Sequence, residues 1–320
     1  MKRHQLYRVL VSISAVAIIV TSCASPSALV PVIRPAEVNL RGINKIAVGE
    51  ITGNGGQAIA DLLTSRLFET NKFEVLERSQ INRIMQEHAL NISGTIDERT
   101  AAEVGKLIGA ATIILGNVST YKYELKTTYQ DWEDREKKTH RTYTKTGTAN
   151  VTATFRVIGL HTGKIVAAKT ISKETVRKTW ADDKTPEDPD RENAMNEAVS
   201  AIVGAFIKMI APYTDYVRVV FAPTDKNIPE LERGINFAKV GRWSDAIEEF
   251  KLAVQKNPTH DGAWYNLGLA YEYSYMFKEA EEAFNEANKI KSCEKCLYEI
   301  NNVKRLAMER KKLEDQGYKE

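Results

Sequence analysis

The sequence predicts an α/β domain with one long β-hairpin, followed by an all-α domain of helical repeats. Strand-like and helix-like runs alternate over residues 41–215, apolar residues alternate with period two over residues 143–157, and one pattern recurs in the C-terminal third. The 320 residues, 43% hydrophobic and 27% charged, suffice for two folded domains. This composition excludes a disordered chain, a collagen and a small disulfide scaffold.

The N-terminal segment predicts export. Lys2, Arg3 and Arg8 precede an uncharged run over residues 9–20. That run is too short for a helix that spans a bilayer of ~30 Å, but it suits a signal peptide. The run ends in Val-Thr-Ser-Cys, which resembles the bacterial lipobox, where cleavage precedes a cysteine that is then acylated. We expect residues 1–22 to be a lipoprotein signal peptide and Cys23 to be lipidated; the alternative is an ordinary secreted protein with an incidental cysteine.

The charge balance gives no argument for a nucleic-acid partner. The net charge is +3, and the first 22 residues hold three basic residues and no acid, so 3 − 3 leaves the mature chain near zero. Two or three acyl chains, at ~0.8 kcal/mol per buried CH₂, give a stable membrane anchor. Ala24 follows Cys23, whereas Asp there commonly retains lipoproteins in the inner membrane. We therefore expect the outer membrane, with the chain facing the periplasm.

Residues 23–40 contain Pro26, Pro31 and Pro35 among serines, and this density predicts an irregular, lipid-anchored tether. The α/β domain is expected over residues 41–215. Its first elements are a strand (43–48), a Gly-rich loop, a helix (58–68) and a strand (73–77). Helices after Ser79 and near Asp97, then a strand over 111–115, complete the order β-α-β-α-α-β, which is typical of a layered α/β domain.

Alternating residues next predict the long hairpin. Its strands cover residues 118–128 and 143–157, with a charged tip over 131–141. A third strand is expected over 164–176, a polar Pro-containing loop over 182–190 and a helix over 193–210.

One motif suggests a nucleotide cofactor. Gly53-x-Gly55-x-x-Ala58 lies between a strand and a helix, with Glu77 after the next strand, which is the outline of a dinucleotide fingerprint. An exported, lipid-anchored protein would not meet a free nicotinamide pool. We favour a Gly-rich turn and expect no cofactor.

Five blocks, read in order, resemble the CsgG family of curli-secretion lipoproteins over roughly residues 40–212. They are residues 62–67 (LLTSRL), 73–78 (FEVLER), 86–90 (QEHAL), 105–110 (GKLIGA) and 113–118 (IILGNV). The resemblance implies an outer-membrane lipoprotein with a periplasmic α/β domain, whose subunits form a homo-oligomeric ring. In the curli member, each subunit gives two β-hairpins to a shared export pore.

The sequence departs from the family pattern at the second hairpin. Residues 170–193 include Lys173, Glu174, Arg177 and Lys178 and the acidic loop, and Lys145 interrupts the outer face of the first hairpin. A Lys or Arg that faces lipid near the midplane costs ~2–4 kcal/mol. We do not expect a complete second hairpin. The outer-membrane lipoprotein activator of peptidoglycan synthases, which has a similar domain and no pore, supplies an alternative.

The C-terminal third contains an internal repeat. Gly234, Phe237, Ala246, Phe250 and Ala253 recur 34 residues later as Gly268, Tyr271, Ala280, Phe284 and Ala287. This period and pattern resemble the tetratricopeptide repeat. After a linker over 216–228, we expect repeats at 229–261 and 262–295 and a charged capping helix from about residue 297 to 316, all within 229–320. Two repeats are fewer than the usual minimum, so packing against the α/β domain or a neighbouring subunit is expected.

Tetratricopeptide arrays bind peptides or partner proteins in a groove, and the family's spacing points to Lys239, Tyr265 and Tyr273 as partner contacts. Ile235 and Leu269 replace the Asn of carboxylate-binding versions, so capture of a C-terminal carboxylate is not expected.

Cys293 and Cys296 form a C-x-x-C pair without the second ligand pair of a zinc site, and Leu297 stands where haem attachment needs His. A local disulfide, which a helical backbone would strain, unpaired structural cysteines and a redox role remain alternatives.

We expect no catalysis and no metal site. His88, His140, His161 and His260 are scattered, and the chain has no G-x-S-x-G elbow and no P-loop. Three functions remain: an assembly or secretion component of the outer membrane, which we favour, a periplasmic adaptor or activator, and an enzyme with an unrecognised site.

Overall fold

The computed structural model describes residues 25–76, 105–106 and 112–318. Cys23, Glu77 and the helices expected after Ser79 and near Asp97 lie outside the described residues. The strands are β1 (Ser27–Arg34), β2 (Lys45–Thr52), β3 (Glu74–Leu76), β4 (Thr112–Glu133), β5 (Thr139–Gly159), β6 (Ile165–Asp182) and β7 (Tyr213–Val220). The helices are α1 (Gly56–Glu69), α2 (Arg191–Ile210), α3 (Pro229–Lys239), α4 (Trp243–Lys256), α5 (Asp261–Tyr273), α6 (Phe277–Ile290) and α7 (Glu294–Asp315).

The chain divides into two compact units. The α/β unit comprises Pro31–Asp215 together with Arg305–Glu320, and the helical unit comprises Tyr216–Lys304 together with the residues up to Val30. The last turns of α7 therefore belong to the α/β unit. The fold class is the expected one, a mixed α/β domain followed by paired helices.

The α/β unit is built on a five-stranded sheet of order β3-β2-β4-β5-β6. Strand β2 runs parallel to β3 and β4, and β4, β5 and β6 are antiparallel neighbours. Strand β4 joins the two strands expected at 111–115 and 118–128 into one of 22 residues, with a bulge between Val118 and Thr120. A bulge absorbs the extra residue without ending the ladder, which is why two sequence segments become one strand.

The core lies where the sequence alternation predicts it. The odd-numbered residues of β5 from Ala149 to Val157 are fully buried, while their even-numbered neighbours are less so. Helix α2 packs on β5 and β6, and the rings of Phe206 and Phe155 stack with centroids 4.4 Å apart. The side chain of Asp190 accepts a hydrogen bond from the backbone N–H of Asn193 and caps α2. The predicted helix over 193–210 is confirmed, with two more residues at its start.

The proline-containing tether differs from expectation. Ser27–Arg34 forms strand β1, which pairs with β7 in a two-stranded sheet, and its Ala28, Val30 and Val32 are buried. Each strand of a two-stranded sheet has one free edge, where a proline without an N–H is tolerated. Apolar and exposed residues alternate along SALVPVIR, which is a pattern typical of a strand. The prolines in this segment instead favoured the prediction of an irregular tether.

The helical unit contains helical pairs at the positions of both expected repeats: α3 with α4, and α5 with α6. Helix α7 follows after a short connection and begins at Glu294, three residues before the capping helix expected at 297.

Candidate functional site

The outer parts of β4, β5 and β6 extend past the helices that cover the core. We call residues 124–148 together with 176–182 the ribbon. Every β4 residue from Glu124 to Glu133 is exposed, and the ladder continues unbroken from Glu124↔Thr148 to Glu133↔Thr139. At ~3.4 Å per residue, this is about 30 Å of hairpin, with β6 as a third strand as far as Thr142↔Asp182. Residues 170–193, described throughout, hold the end of β6, a loop and the start of α2, and no second hairpin.

The loop over residues 183–190 lies on one face of the sheet, which we call the covered face. Lys145 Nζ on this face is 2.6 Å from Asp188 Oδ1. The Thr179 hydroxyl donates to the carbonyl of Glu187 at 2.5 Å, and the Tyr123 hydroxyl donates to that of Pro189 at 3.0 Å. Lys145, which interrupts the sequence alternation, is thus paired with the acidic loop.

The opposite face of the sheet, which we call the open face, carries rows of hydroxyl side chains. The threonines and serine on it are Thr144, Thr146, Thr148, Thr152 and Thr154 of β5, and Thr170 and Ser172 of β6. Cross-strand bonds join Thr152 to Ser172 at 2.9 Å and Thr154 to Thr170 at 2.8 Å. Trp180, 72% exposed, and Val176 lie on the same face. Charged side chains lie on the same face among the hydroxyl rows: Glu124 and Lys126 of β4, and Glu174 and Lys178 of β6. The open face therefore combines hydroxyl rows, charges of both signs and apolar side chains near the tip.

A cluster of charges closes the tip of the ribbon. His140 Nδ1 lies 2.6 Å from Asp183 Oδ2, and its Nε2 lies 3.2 Å from Asp134 Oδ2. Arg141 forms two hydrogen bonds to Asp131, at 2.5 and 2.8 Å. The carboxylates of Asp183 and Asp134 raise the pKa of His140, and the Arg141 guanidinium lowers the pKa of Asp131. The cluster ties the β4–β5 turn to the residue that follows β6.

The structure separates the residues expected to line a partner groove. Tyr265 is 8% exposed, its ring lies 5.6 Å from that of Phe284, and burial raises the pKa of its hydroxyl. Tyr273, two turns further along α5, stacks on Trp243 of α4 at 5.4 Å. Lys239 is exposed at the end of α3. Tyr265 therefore packs towards α6, Tyr273 packs towards α4, and Lys239 points to solvent.

The helical unit contains a backbone clamp that the sequence analysis missed. Asn266 is fully buried, its Oδ1 accepts from the Ala222 N–H at 2.7 Å, and its Nδ2 donates to the Ala222 carbonyl at 3.4 Å. The Asn266 side chain thereby binds both backbone polar groups of Ala222 and fixes the linker that follows β7. A polar residue inside the apolar run WYNLGLAY was the available signal, because a buried amide needs partners.

Cys293 and Cys296 form a disulfide, with Cα atoms 5.2 Å apart, inside the usual range. Cys293 precedes α7 and Cys296 lies in its first turn. The strain expected from a fully helical backbone does not arise, because only one of the two cysteines is helical. Among the described residues no group of His, Cys, Asp and Glu side chains could hold a metal ion.

No helix in the described part of the chain is long and apolar enough to cross a membrane.

A 64-residue stretch is 33% identical to an uncharacterized protein of Methanocaldococcus jannaschii, covering 19% of this chain and 74% of that protein.

Three solved structures are among those similar to this chain. The PelC dodecamer from Paraburkholderia phytofirmans is 13% identical to this chain, the match covers 58% of this chain and 98% of that one, and the TM-score is 0.30. Lipoprotein GNA1162 from Neisseria meningitidis is 14% identical; the match covers 51% of this chain and 97% of that one, with a TM-score of 0.30. The LpoB C-terminal domain from Salmonella enterica is 9% identical; the match covers 42% of this chain and 87% of that one, with a TM-score of 0.28.

The family model described as the curli production assembly/transport component CsgG matches residues 43–182. These residues run from the first strand of the five-stranded sheet to the end of β6, and so include the whole ribbon. Residues 43–182 therefore form a CsgG-family domain, as the sequence blocks predict.

Proposed function

We propose that this chain is a lipid-anchored component of the outer membrane, facing the periplasm, that acts without catalysis in the assembly or export of envelope or surface proteins. The observation that carries the proposal is the family match over residues 43–182, which contains both the sheet and the ribbon. Cys23 would hold the acyl anchor, the α/β unit would form a homo-oligomer, and the helical unit would dock protein partners.

The open face of the ribbon supports self-association. A long sheet that is exposed beyond its core, with hydroxyl rows, an exposed Trp180 and charges of both signs, is a surface on which a second copy can pair opposite charges. Strand β6 is an edge of the sheet, so its outer backbone groups are available for pairing.

A second candidate function is a periplasmic adaptor that regulates an envelope enzyme, such as a peptidoglycan synthase, and forms no pore. The observation that favours it is the loop over residues 183–190, which places Asp188, the carbonyl of Glu187 and that of Pro189 on the covered face. Polar groups on one face of the single hairpin disfavour contact with lipid there.

The deciding experiment compares the full-length chain, extracted in detergent, with a chain that starts at Ala24. We expect the full-length chain to stay in the membrane fraction until detergent is added and to run as an oligomer. Mass spectrometry of its N-terminal peptide should show acyl groups on Cys23. A ring-sized oligomer that conducts ions in planar bilayers supports export. If the chain that starts at Ala24 is monomeric and the full-length chain shows no conductance, the export function is excluded and the adaptor function is supported.

Matched variants test each surface. Thr146→Arg adds a third cation beside Lys126 and Lys178 on the open face and should reduce the oligomer, whereas Thr162→Arg, in the exposed turn between β5 and β6, should not. Lys239→Glu should weaken partner docking in a pull-down, whereas Lys278→Glu, exposed on α6, should not. Equal effects within either pair contradict the role of that surface.

A further inference from the structure

The disulfide at the start of α7 is asymmetric. Cys293 is partly exposed, whereas Cys296 is 0% exposed. Only two residues separate the cysteines, and a loop this short restricts the unfolded chain less than a long one does. A stabilising cross-link is therefore an incomplete explanation for the pair.

The Cys293 sulfur lies where negative charge is stabilised. The backbone N–H of Cys296, in the first turn of α7, donates to Cys293 Sγ at 3.1 Å. The backbone N–H of Cys293 is itself fixed by Asn288 Oδ1 at 2.8 Å. Helix α7 has 22 residues, and the unpaired N–H groups at a helix N-terminus favour an anion such as a thiolate.

A small cleft opens beside the two sulfurs within the helical unit. Its walls include Phe221, Pro223 and Tyr265, with Asp261 and Lys295 at its charged positions, and its volume is about 150 Å³. Sites for small organic ligands usually measure ~300–1,000 Å³. The cleft therefore has room for a side chain of a partner protein next to the disulfide, and not for a cofactor.

We propose that Cys293 and Cys296 form a thiol–disulfide exchange site for a dithiol protein. A thiolate of the partner attacks Cys293 Sγ, a mixed disulfide forms, and Cys296 Sγ leaves with the bonding electron pair and takes up a proton. The partner's second thiol, after losing its proton, attacks the partner's first sulfur in the mixed disulfide. Cys293 Sγ then leaves with the bonding electron pair as a thiolate and takes up that proton. The partner dithiol is thereby oxidised to a disulfide, and two electrons reduce this pair to two thiols.

The exposed Cys293 is the attacked sulfur because a partner can reach it, and its released thiolate is stabilised by the helix N-terminus. The reverse sequence, with a disulfide-bearing partner, reoxidises the pair. This function adds to the proposed docking role and does not depend on it.

The test uses the mature chain carrying Cys23→Ser, so that only this pair reacts. After reduction, we expect Cys293 in the Cys296→Ser variant to react with iodoacetamide at least tenfold faster than Cys296 in the Cys293→Ser variant. In urea the two rates should become equal. Oxidised glutathione should form a mixed disulfide with the Cys296→Ser variant, and dithiothreitol should reduce the intact pair while circular dichroism remains unchanged.

A second readout separates exchange from a structural role. Lys295→Glu places a negative charge in the cleft and should slow alkylation of Cys293 about two- to fivefold, from the ~0.3–1 kcal/mol of such charge effects. Lys278→Glu, exposed on α6, is the matched control and should not change the rate. The proposal is overturned if Cys296 reacts as fast as Cys293 in the folded chain, or if dithiothreitol reduces the disulfide only when the chain unfolds.

Discussion

At the scale of single residues, the pKa of His140 is controlled by its two carboxylate neighbours. Asp183 and Asp134 raise its pKa above the ordinary 6.5, and the His140 ring in turn lowers the pKa of Asp183 below the ordinary 3.8. A histidine whose pKa is raised in the folded state contributes to the free energy of unfolding. That contribution is fully present below pH 6.5 and is lost as the pH rises through the folded-state pKa. A lowered carboxyl pKa gives stability that is present above 3.8 and is lost as the pH falls.

The ion pairs of His140 should therefore stabilise the tip of the ribbon most between about pH 4 and pH 6.5, and this stabilisation should fall at higher pH. We expect NMR titration of the His140 ring to give a pKa above 6.5, and we expect His140→Gln to abolish the fall in stability at higher pH. His161→Gln, in the exposed turn after β5, is the control and should change neither result. A His140 pKa at or below 6.5 contradicts the geometry of the cluster.

Residue-level sequence reasoning succeeded where a local pattern decides the structure and failed where a distant segment does. The alternation along β5 predicted the buried positions from Ala149 to Val157, because period two follows from the strand itself. The pairing of Lys145 with Asp188 joins residues 43 apart, and Asn266 holds Ala222 across 44. Such pairs depend on which surfaces fold together, and a single sequence does not record this.

At the scale of helices and strands, the two helical pairs depend on glycines at their crossings. A Cβ on Gly268 would lie 2.7 Å from the Phe284 ring, and one on Gly234 would lie 2.5 Å from the Phe250 ring. Such a distance is shorter than a carbon–carbon contact allows, so the aromatic ring or the helix must shift. Both glycines are positions of the 34-residue sequence repeat, and the structure gives a physical reason for glycine at each of them.

Gly268→Ala should therefore destabilise the helical unit by about 1–3 kcal/mol, the usual cost of overpacking, despite the better helix propensity of alanine. Gly204→Ala on α2 is the matched control, because a Cβ there meets no atom within 4 Å. That change should stabilise the α/β unit by about 0.5–1 kcal/mol. Urea unfolding measures both variants, and a stabilising Gly268→Ala would show that the crossing is looser than the structure describes.

Strand β1 and the burial of Tyr265 mark the limit of element-level prediction. Proline-rich composition indicated an irregular tether, but the partner strand β7 lies almost 200 residues away, where a local pattern cannot identify it. Groove positions taken from repeat spacing assume that the groove is open. Tyr265 instead packs on Phe284, as an inward-facing residue of α5.

At the scale of the whole molecule, the chain end belongs to the α/β unit. Gln316, 7% exposed, accepts from the Ala36 N–H at 3.0 Å and donates to the Ala36 carbonyl at 2.8 Å. Glu309 lies 2.6 Å from the Arg34 guanidinium in the same unit. The segment after Lys304 therefore supplies side chains that hold the first residues of the α/β unit, although the sequence assigns it to the repeats.

Gln316→Ala leaves the buried N–H and carbonyl of Ala36 without their partner, which should cost about 1–3 kcal/mol. Hydrogen exchange should accelerate in β2 and β5 of the α/β unit and remain unchanged in α3 to α6. Asn266→Ala removes the equivalent clamp on Ala222 and should give the opposite distribution, with faster exchange in the helical unit. Gln255→Ala, exposed on α4, controls for loss of an amide alone. Since each clamp lies inside one unit, exchange that accelerated equally in both units for either variant would contradict this division of the chain.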